Sequence, residues 1–201
     1  MKTPIIAISR EFCSGGRLVG EAVAAELGVP FYDRKLIELA AEKSGFSADY
    51  IEHSESQPPT SFLYGLAISG KGGYSFHETP ISDRAFFAQA EVIRELAAHG
   101  GCVIVGRCAG YILRENPNLL SVFLFAPPET RLQRARELYG MTRDDLAEYM
   151  TRVDKGRRRY HKTYTGETWN DLRCYDLCIN TAKTDIDGAA HAILAAVGRS
   201  R

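Results

Sequence analysis

Short runs of consecutive apolar residues alternate along this chain with stretches whose apolar positions recur every three or four residues. Pro4-Ile5-Ile6-Ala7-Ile8-Ser9 is the first run and predicts a buried strand entering a loop that contains Gly15-Gly16. Leu18, Val19, Ala22, Val23 and Leu27 then mark one face of a helix that Gly28 and Pro30 stop. Phe31-Tyr32 predicts a very short strand, and Asp33 is placed to cap a helix from Arg34 to about Lys43, ended by Gly45. Residues 46 to about 83 fit neither period; Pro58-Pro59, Gly70, Gly72-Gly73 and Pro80 interrupt every pattern, so a mobile or ligand-dependent segment is expected there. Asp83 is expected to cap the next helix, which runs to about His99. Cys102-Val103-Ile104-Val105 and Leu120–Ala126 predict strands covered on both faces. Pro127-Pro128-Glu129 opens a helix, Thr142 to Asp145 open another that reaches the basic stretch at Arg157, Tyr175–Asn180 is the last strand and Asp185–Val197 the last helix. Strands that are apolar throughout, separated by helices, require an α/β fold: a parallel sheet flanked by helices, in a single domain over residues 1–201.

Composition narrows the partners. Lys+Arg 25 balances Asp+Glu 25, so no whole-surface field is available to grip nucleic acid or anionic lipid, and anion binding must come from a local cluster. No apolar run approaches a membrane span and none forms a signal-peptide core, which makes the cytoplasm the expected address and a membrane or nucleic acid an unexpected partner. Five scattered cysteines make a poor disulfide framework, and Cys174-x-x-x-Cys178 lacks metal-site spacing, so no metal site is expected. The sequence carries no signal for oligomeric state.

Three segments carry candidate chemistry. In Ile8-Ser9-Arg10-Glu11-Phe12-Cys13-Ser14-Gly15-Gly16-Arg17-Leu18 a glycine-containing loop leads from a strand into a helix, where unsatisfied N–H groups and the helix dipole favour a phosphate and an arginine adds a bidentate cation. The Walker pattern is nonetheless unmatched: there is no lysine, and Leu18 offers Mg²⁺ no hydroxyl. By itself the segment also reads as a plain strand-to-helix turn. Arg107 follows a buried strand at the edge where parallel sheets bind ligands, as does Asp33, which already has a use as a helix cap. Asp154-Lys155-Gly156-Arg157-Arg158-Arg159 is the dense basic cluster; it reads either as a solvated face stitched by an Asp154–Arg158 pair or as an arginine-bearing flap over phosphates, with Arg131 and Arg134 extending the same surface.

Together these residues resemble the cytidylate-kinase-like family of P-loop proteins, related to bacterial CMP kinases. The resemblance rests on Ile8–Phe12 with Ser14–Arg17, on Phe31-Tyr32-Asp33-Arg34, on Cys102–Ala109, on Asp154–Arg157, on Tyr164-Thr165-Gly166 with Trp169, and on Tyr175–Thr181; it covers most of the chain except about residues 55 to 82. It implies a P-loop kinase fold with a nucleoside-monophosphate-binding region at about 34–100 and an arginine-bearing lid at about 150–172. It implies a donor site at Arg10, Ser14, Gly15, Gly16, Arg17, Leu18 and Arg131, with Gly16 in the lysine's place and Arg17 as its substitute. On the acceptor side it implies Asp33, Arg34, Arg107, Asp154 and Arg157, with Arg17, Arg107, Asp154, Arg157 and Arg158 serving the transfer. Cys13 departs from the family's loop glycine, Cys108 stands where CMP kinases carry aspartate, and Gly110 where this family's own aspartate is expected.

The implied activity is transfer of a phosphoryl group from ATP, with Mg²⁺ held mainly by the nucleotide, to a pyrimidine nucleoside monophosphate such as CMP or dCMP. A nucleotide-binding regulatory module with weak or no turnover, and a kinase of another small acceptor, stand as alternatives.

Overall fold

The computed structural model describes residues 3–53 and 81–199. Five parallel strands, β1 (Ile5–Arg10), β2 (Phe31–Tyr32), β3 (Cys102–Val105), β4 (Leu119–Phe125) and β5 (Leu177–Asn180), lie in the order β2-β3-β1-β4-β5. The helices are α1 (Gly16–Leu27), α2 (Arg34–Ser44), α3 (Ala48–His53), α4 (Ile81–His99), α5 (Ala109–Ile112), α6 (Pro128–Glu137), α7 (Leu146–Thr165) and α8 (Thr181–Arg199), with a 3₁₀ turn at Leu172–Cys174. No described helix is long and apolar enough to cross a membrane. The parallel sheet flanked by helices is the α/β architecture that the apolar strand runs required.

Alternate residues of the central strands face opposite layers. Ile5, Ala7, Cys102 and Ile104 pack with α2, α4 and α5, whereas Ile6, Ile8, Val103, Val105, Val122 and Leu124 pack with α1 and α8. Both faces are buried, which is why the strands show no polar alternation. In the middle of α1, a β-carbon on Gly20 would stand 2.9 Å from the Phe31 ring and 3.1 Å from Val105, so the missing side chain sets how closely α1 lies on the sheet.

Several local expectations are corrected. Helix α1 begins at Gly16 rather than Leu18, because Gly15 takes a left-handed φ of 90° and turns the chain early. Asp33 and Asp145 occupy helix-cap positions without making side-chain caps; Asp145 instead pairs with Arg143. Asp83 lies inside the first turn of α4, where its carboxylate accepts a 3.1 Å hydrogen bond from the Tyr164 hydroxyl. The stretch expected to be irregular from 46 to about 83 begins with helix α3 and otherwise lies mostly outside the described residues. The last helix starts at Thr181, with a kink at Asp185 where the sequence suggested its beginning.

Replacing Gly20 by alanine is expected to destabilise the fold by about 1–2 kcal/mol in urea unfolding, overpacking against Phe31 and Val105 outweighing alanine's better helix propensity. The same change at Gly198, whose β-carbon would meet open space, should be neutral or slightly stabilising.

Candidate phosphate-binding cleft

The carboxyl ends of β1 and β3 are tied together where Gly106 N–H donates to Ile8 O at 2.9 Å. The chain then turns sharply: Gly106 takes φ 83°, and Arg107 and Cys108 follow at 56° and 55°. Of the four non-glycine residues at positive φ among the described residues, Cys13, Arg107 and Cys108 stand on the two loops at this edge. Such backbone costs about 1–3 kcal/mol per residue and persists where the surroundings hold it, commonly at ligand sites. Between the loops lies a small cleft of about 20 Å³ bordered by Arg10, Gly106, Arg107, Arg157 and Trp169. Three guanidinium-bearing residues and no carboxylate line it among the described residues, a composition suited to phosphate oxygens.

Arg10 occupies the middle of this arrangement. A β-carbon on Gly16 would fall 2.6 Å from Arg10 Cγ, and one on Gly106 would fall 2.3 Å from Arg10 Nη1. The Arg10 stem therefore lies across the first turn of α1, and its guanidinium covers Gly106. Any side chain at position 16, lysine included, would collide with that stem. Arg17 points elsewhere: it is half exposed and its Nε donates to Glu21 at 2.9 Å, which with Asp33 nearby favours its charged form.

A second layer holds the loop in place. The buried Asp154 carboxylate accepts the Phe12 N–H at 2.8 Å and pairs with Arg131, whose Nε lies 3.5 Å from Glu11. The expected Asp154–Arg158 pair is absent; Asp154 turns inward to Arg131, with Arg157 at 3.9 Å, because helix α7 packs this face against the loop. Arg158 is exposed, close enough to lower the Glu11 pKa, although burial raises that carboxyl overall. Arg157 Nη1 donates to Arg10 O at 3.2 Å.

The Ser14 carbonyl accepts from Thr181 Oγ1 at 2.7 Å and from Arg134 Nη1 at 3.2 Å, and Arg134 also donates to Thr181 Oγ1 and O, both at 2.7 Å. This clamp joins the loop, α6 and the end of β5. Ile186 closes over Gly15, where a β-carbon would stand 2.2 Å from its Cδ1. Burial pushes the Cys13 thiol up to about 11, so it stays protonated beside the loop.

The structure thus brings Arg10, Ser14, Gly15, Gly16, Arg107, Arg131, Asp154 and Arg157 to one edge, with Asp154 and Arg131 as support behind the cleft rather than in its lining. Leu18 follows in α1. Arg34 is exposed and lies 3.6 Å from Glu52 on α3. Sequence reasoning missed the working contacts of Thr181 and Glu11. The position of Thr181, directly after a strand at the ligand-binding edge, is the signal that could have found it.

Comparisons with known proteins bear on the family and the fold. A cytidylate kinase of Methanocaldococcus jannaschii is 31% identical over 107 residues, and one of Pyrococcus horikoshii 34% over 104 residues; these matches cover 51% of this chain and 59% and 53% of the relatives. The chain therefore spans little more than half the length of those two relatives. A cytidylate kinase of Pyrobaculum aerophilum is 26% identical over 194 residues, 94% of this chain and 90% of the relative. The solved structure of an uncharacterized protein from Eubacterium ventriosum matches with a TM-score of 0.71 and 30% identity over 98% of this chain and 99% of that one. Shikimate kinase from Acinetobacter baumannii, at TM-score 0.53 and 16% identity over 99% and 95% of the two chains, shares the fold. The cytidylate kinase-like family model matches residues 5–183, and with its strands, loop and arginines in the places described, this chain belongs to the cytidylate kinase-like family.

Proposed function

We propose that this chain transfers the γ-phosphoryl group of ATP to a pyrimidine nucleoside monophosphate, CMP or dCMP. The observation that carries this reading is the convergence of Arg10, Arg107 and Arg157 on one cleft beside the amino end of α1, in a chain of zero net charge. Loop N–H groups and Arg10 receive the donor phosphates, joined by Arg17 once it releases Glu21. Arg107 holds the acceptor phosphate, while Arg157 offsets charge on the group in transfer; Arg158, on the exposed side of α7, takes no part in that contact. An acceptor phosphate is already a nucleophile near neutral pH, so the protein's task is to align two anions and keep water out.

The donor set of the chain does not itself build a Mg²⁺ site: Leu18 stands where a hydroxyl ligand would be, and no group of three or more His, Cys, Asp or Glu side chains stands together among the described residues. A Mg²⁺ ion bound to the nucleotide's phosphates would supply charge neutralisation there.

Gly16 and Leu18 at the Walker positions favour a second reading, a nucleotide-binding module that keeps the fold without efficient transfer. An ADP-release assay over a panel of nucleoside monophosphates separates the two. CMP- or dCMP-dependent turnover supports the kinase; nucleotide binding with no turnover on any acceptor supports the module. In the kinase, Arg10→Ala is expected to abolish ATP-dependent turnover and Arg17→Ala to raise the KM for ATP several-fold; full activity in Arg10→Ala would remove Arg10 from the donor site. Arg107→Lys should raise the acceptor KM or cut kcat by about tenfold or more while sparing ATP binding, since a single ammonium does not reproduce a bidentate fork.

The Ser14 clamp yields an independent expectation. Thr181→Val removes the hydroxyl that Ser14 O accepts from and should raise the KM for ATP several-fold with a stability loss of about 1–2 kcal/mol, whereas Thr181→Ser should restore both. A parallel rise in the acceptor KM alone would contradict the assignment of this clamp to the donor loop.

A further inference from the structure

On the sheet face beneath α5 lies a second cavity, of about 320 Å³, roughly the lower limit for small-molecule pockets. It shares Ser9, Cys108 and His161 with the cationic cleft, so that His161 forms a wall between them. The His161 side chain is only 7% exposed, and its Nε2 is a buried nitrogen with no hydrogen-bond partner among the described residues. Glu167 Oε2 stands 3.8 Å away, too far for a direct hydrogen bond. Burial holds the imidazole neutral, with its pKa lowered to about 4. Its Nδ1 faces the Cys108 thiol at 3.7 Å; a thiol that donates to Nδ1 leaves the ring proton on Nε2, as a buried donor lacking an acceptor.

The remaining lining specifies what would satisfy it. Glu167 and Asp176 supply carboxylates; at the rim Arg173 is held by Asp171 at 2.7 Å and Arg114 lies 3.5 Å from Glu115, so the carboxylates of Glu167 and Asp176 are what a ligand's donors would meet. Asp176 is fixed by hydrogen bonds from Ser121 N and Oγ at 2.7 and 2.8 Å. Tyr111, with Arg114 lying over its ring at 4.1 Å, and Tyr175, whose ring packs on Phe123 and whose hydroxyl donates to Trp169 O at 2.6 Å, complete the wall. A planar aminated heterocycle can give an acceptor to His161 and a donor to a carboxylate at once.

We propose that this cavity is a binding site for an aminated heterocycle of nucleobase or nucleoside size, separate from the cationic cleft and coupled to it through His161 on α7. The site goes beyond the kinase reading, and its binding test needs no turnover. Arg157, on the same helix as His161, lines the neighbouring cleft, so an occupant is placed to alter how that cleft holds phosphate.

The full chain should be titrated with cytidine and with adenosine by calorimetry, with and without saturating ATP and CMP. Saturable binding of at least one nucleoside that survives both nucleotides is expected. It should weaken about tenfold or more in His161→Ala, the loss of one buried hydrogen bond, and be largely retained in His161→Gln, whose side-chain amide can place a donor near the same point. Glu167→Ala, at the cavity mouth and little involved in packing, should also weaken binding, which guards against a folding defect in the histidine variant. Absence of saturable binding by either nucleoside, displacement of both by CMP, or equal affinity in the wild type, His161→Ala and Glu167→Ala would each overturn the proposal. The first two outcomes leave the kinase reading standing, and failure of the kinase assay leaves this one standing.

Discussion

The buried carboxylate of Asp154 is the contact on which the geometry of the phosphate edge depends. It takes the Phe12 N–H from the loop and the Arg131 guanidinium from α6, and it does so from α7, so three separate pieces of chain meet on one side chain. A buried ion pair adds little net stability over an apolar replacement, because desolvation of both charges offsets most of the attraction. Removing one partner is different, costing about 3–5 kcal/mol through the stranded charge. The pair is therefore better understood as a device for register than as a source of stability. With Asp154 fixed, Arg157 one turn later is directed at Arg10 O and the cleft, while Arg158 is left on the exposed side.

The same logic of position over bulk charge runs through the rest of the site. The chain has no net charge, yet its arginines gather at one edge because the strands β1 and β3 end there and because α7 is clamped across them. Left-handed Arg107 and Cys108 give that edge its shape. Two successive non-glycine residues in this region are unfavourable on their own and require support; Arg107 obtains it by donating to Ile51 O and Gln89 Oε1, and Cys108 by packing among Phe86, Tyr160 and Tyr164. The aromatic cluster that buries Cys108 occupies space beside Arg107, so the neighbourhood of that arginine is more apolar than an aspartate at position 108 would allow.

Much of the architecture was legible because apolar runs and helical periodicity report burial directly. β3 was read to the residue, and β1 and β4 to within a residue at either end. The caps were less legible: Asp33, Asp83 and Asp145 are good N-cap residues by type, but a distant partner, Tyr164, and a local one, Arg143, claim two of their carboxylates. At the site, spacing alone suggested that Asp154 would meet Arg158, since residues four apart share a helix face. The choice between Arg158 and Arg131 is made by packing of α7 onto α6 and the loop, and pairwise spacing within one helix contains no information about that. His161 was invisible for the same reason: a lone histidine after a basic run carries no pattern, and its burial appears only when α5, α7 and the 3₁₀ turn close around it.

The missing lysine of the first loop follows from these contacts. A lysine at position 16 would need the volume that the Arg10 stem already fills, 2.6 Å from the place of its β-carbon. The Arg10 stem can occupy that volume because position 16 is glycine, and its guanidinium tip then lies over Gly106, which lacks a side chain. The loop and the Gly106 turn are thus matched to one guanidinium, and Gly16, Gly106 and Arg10 constrain one another as a set. A guanidinium reaching in from the end of β1 approaches from the strand side, whereas a lysine would rise from the helix itself; it also offers a planar fork where an ammonium offers a point charge. The departure from the Walker pattern at Gly16 is accordingly a relocation of cationic character within the same cleft, whereas Leu18 is a departure that brings no hydroxyl to the loop.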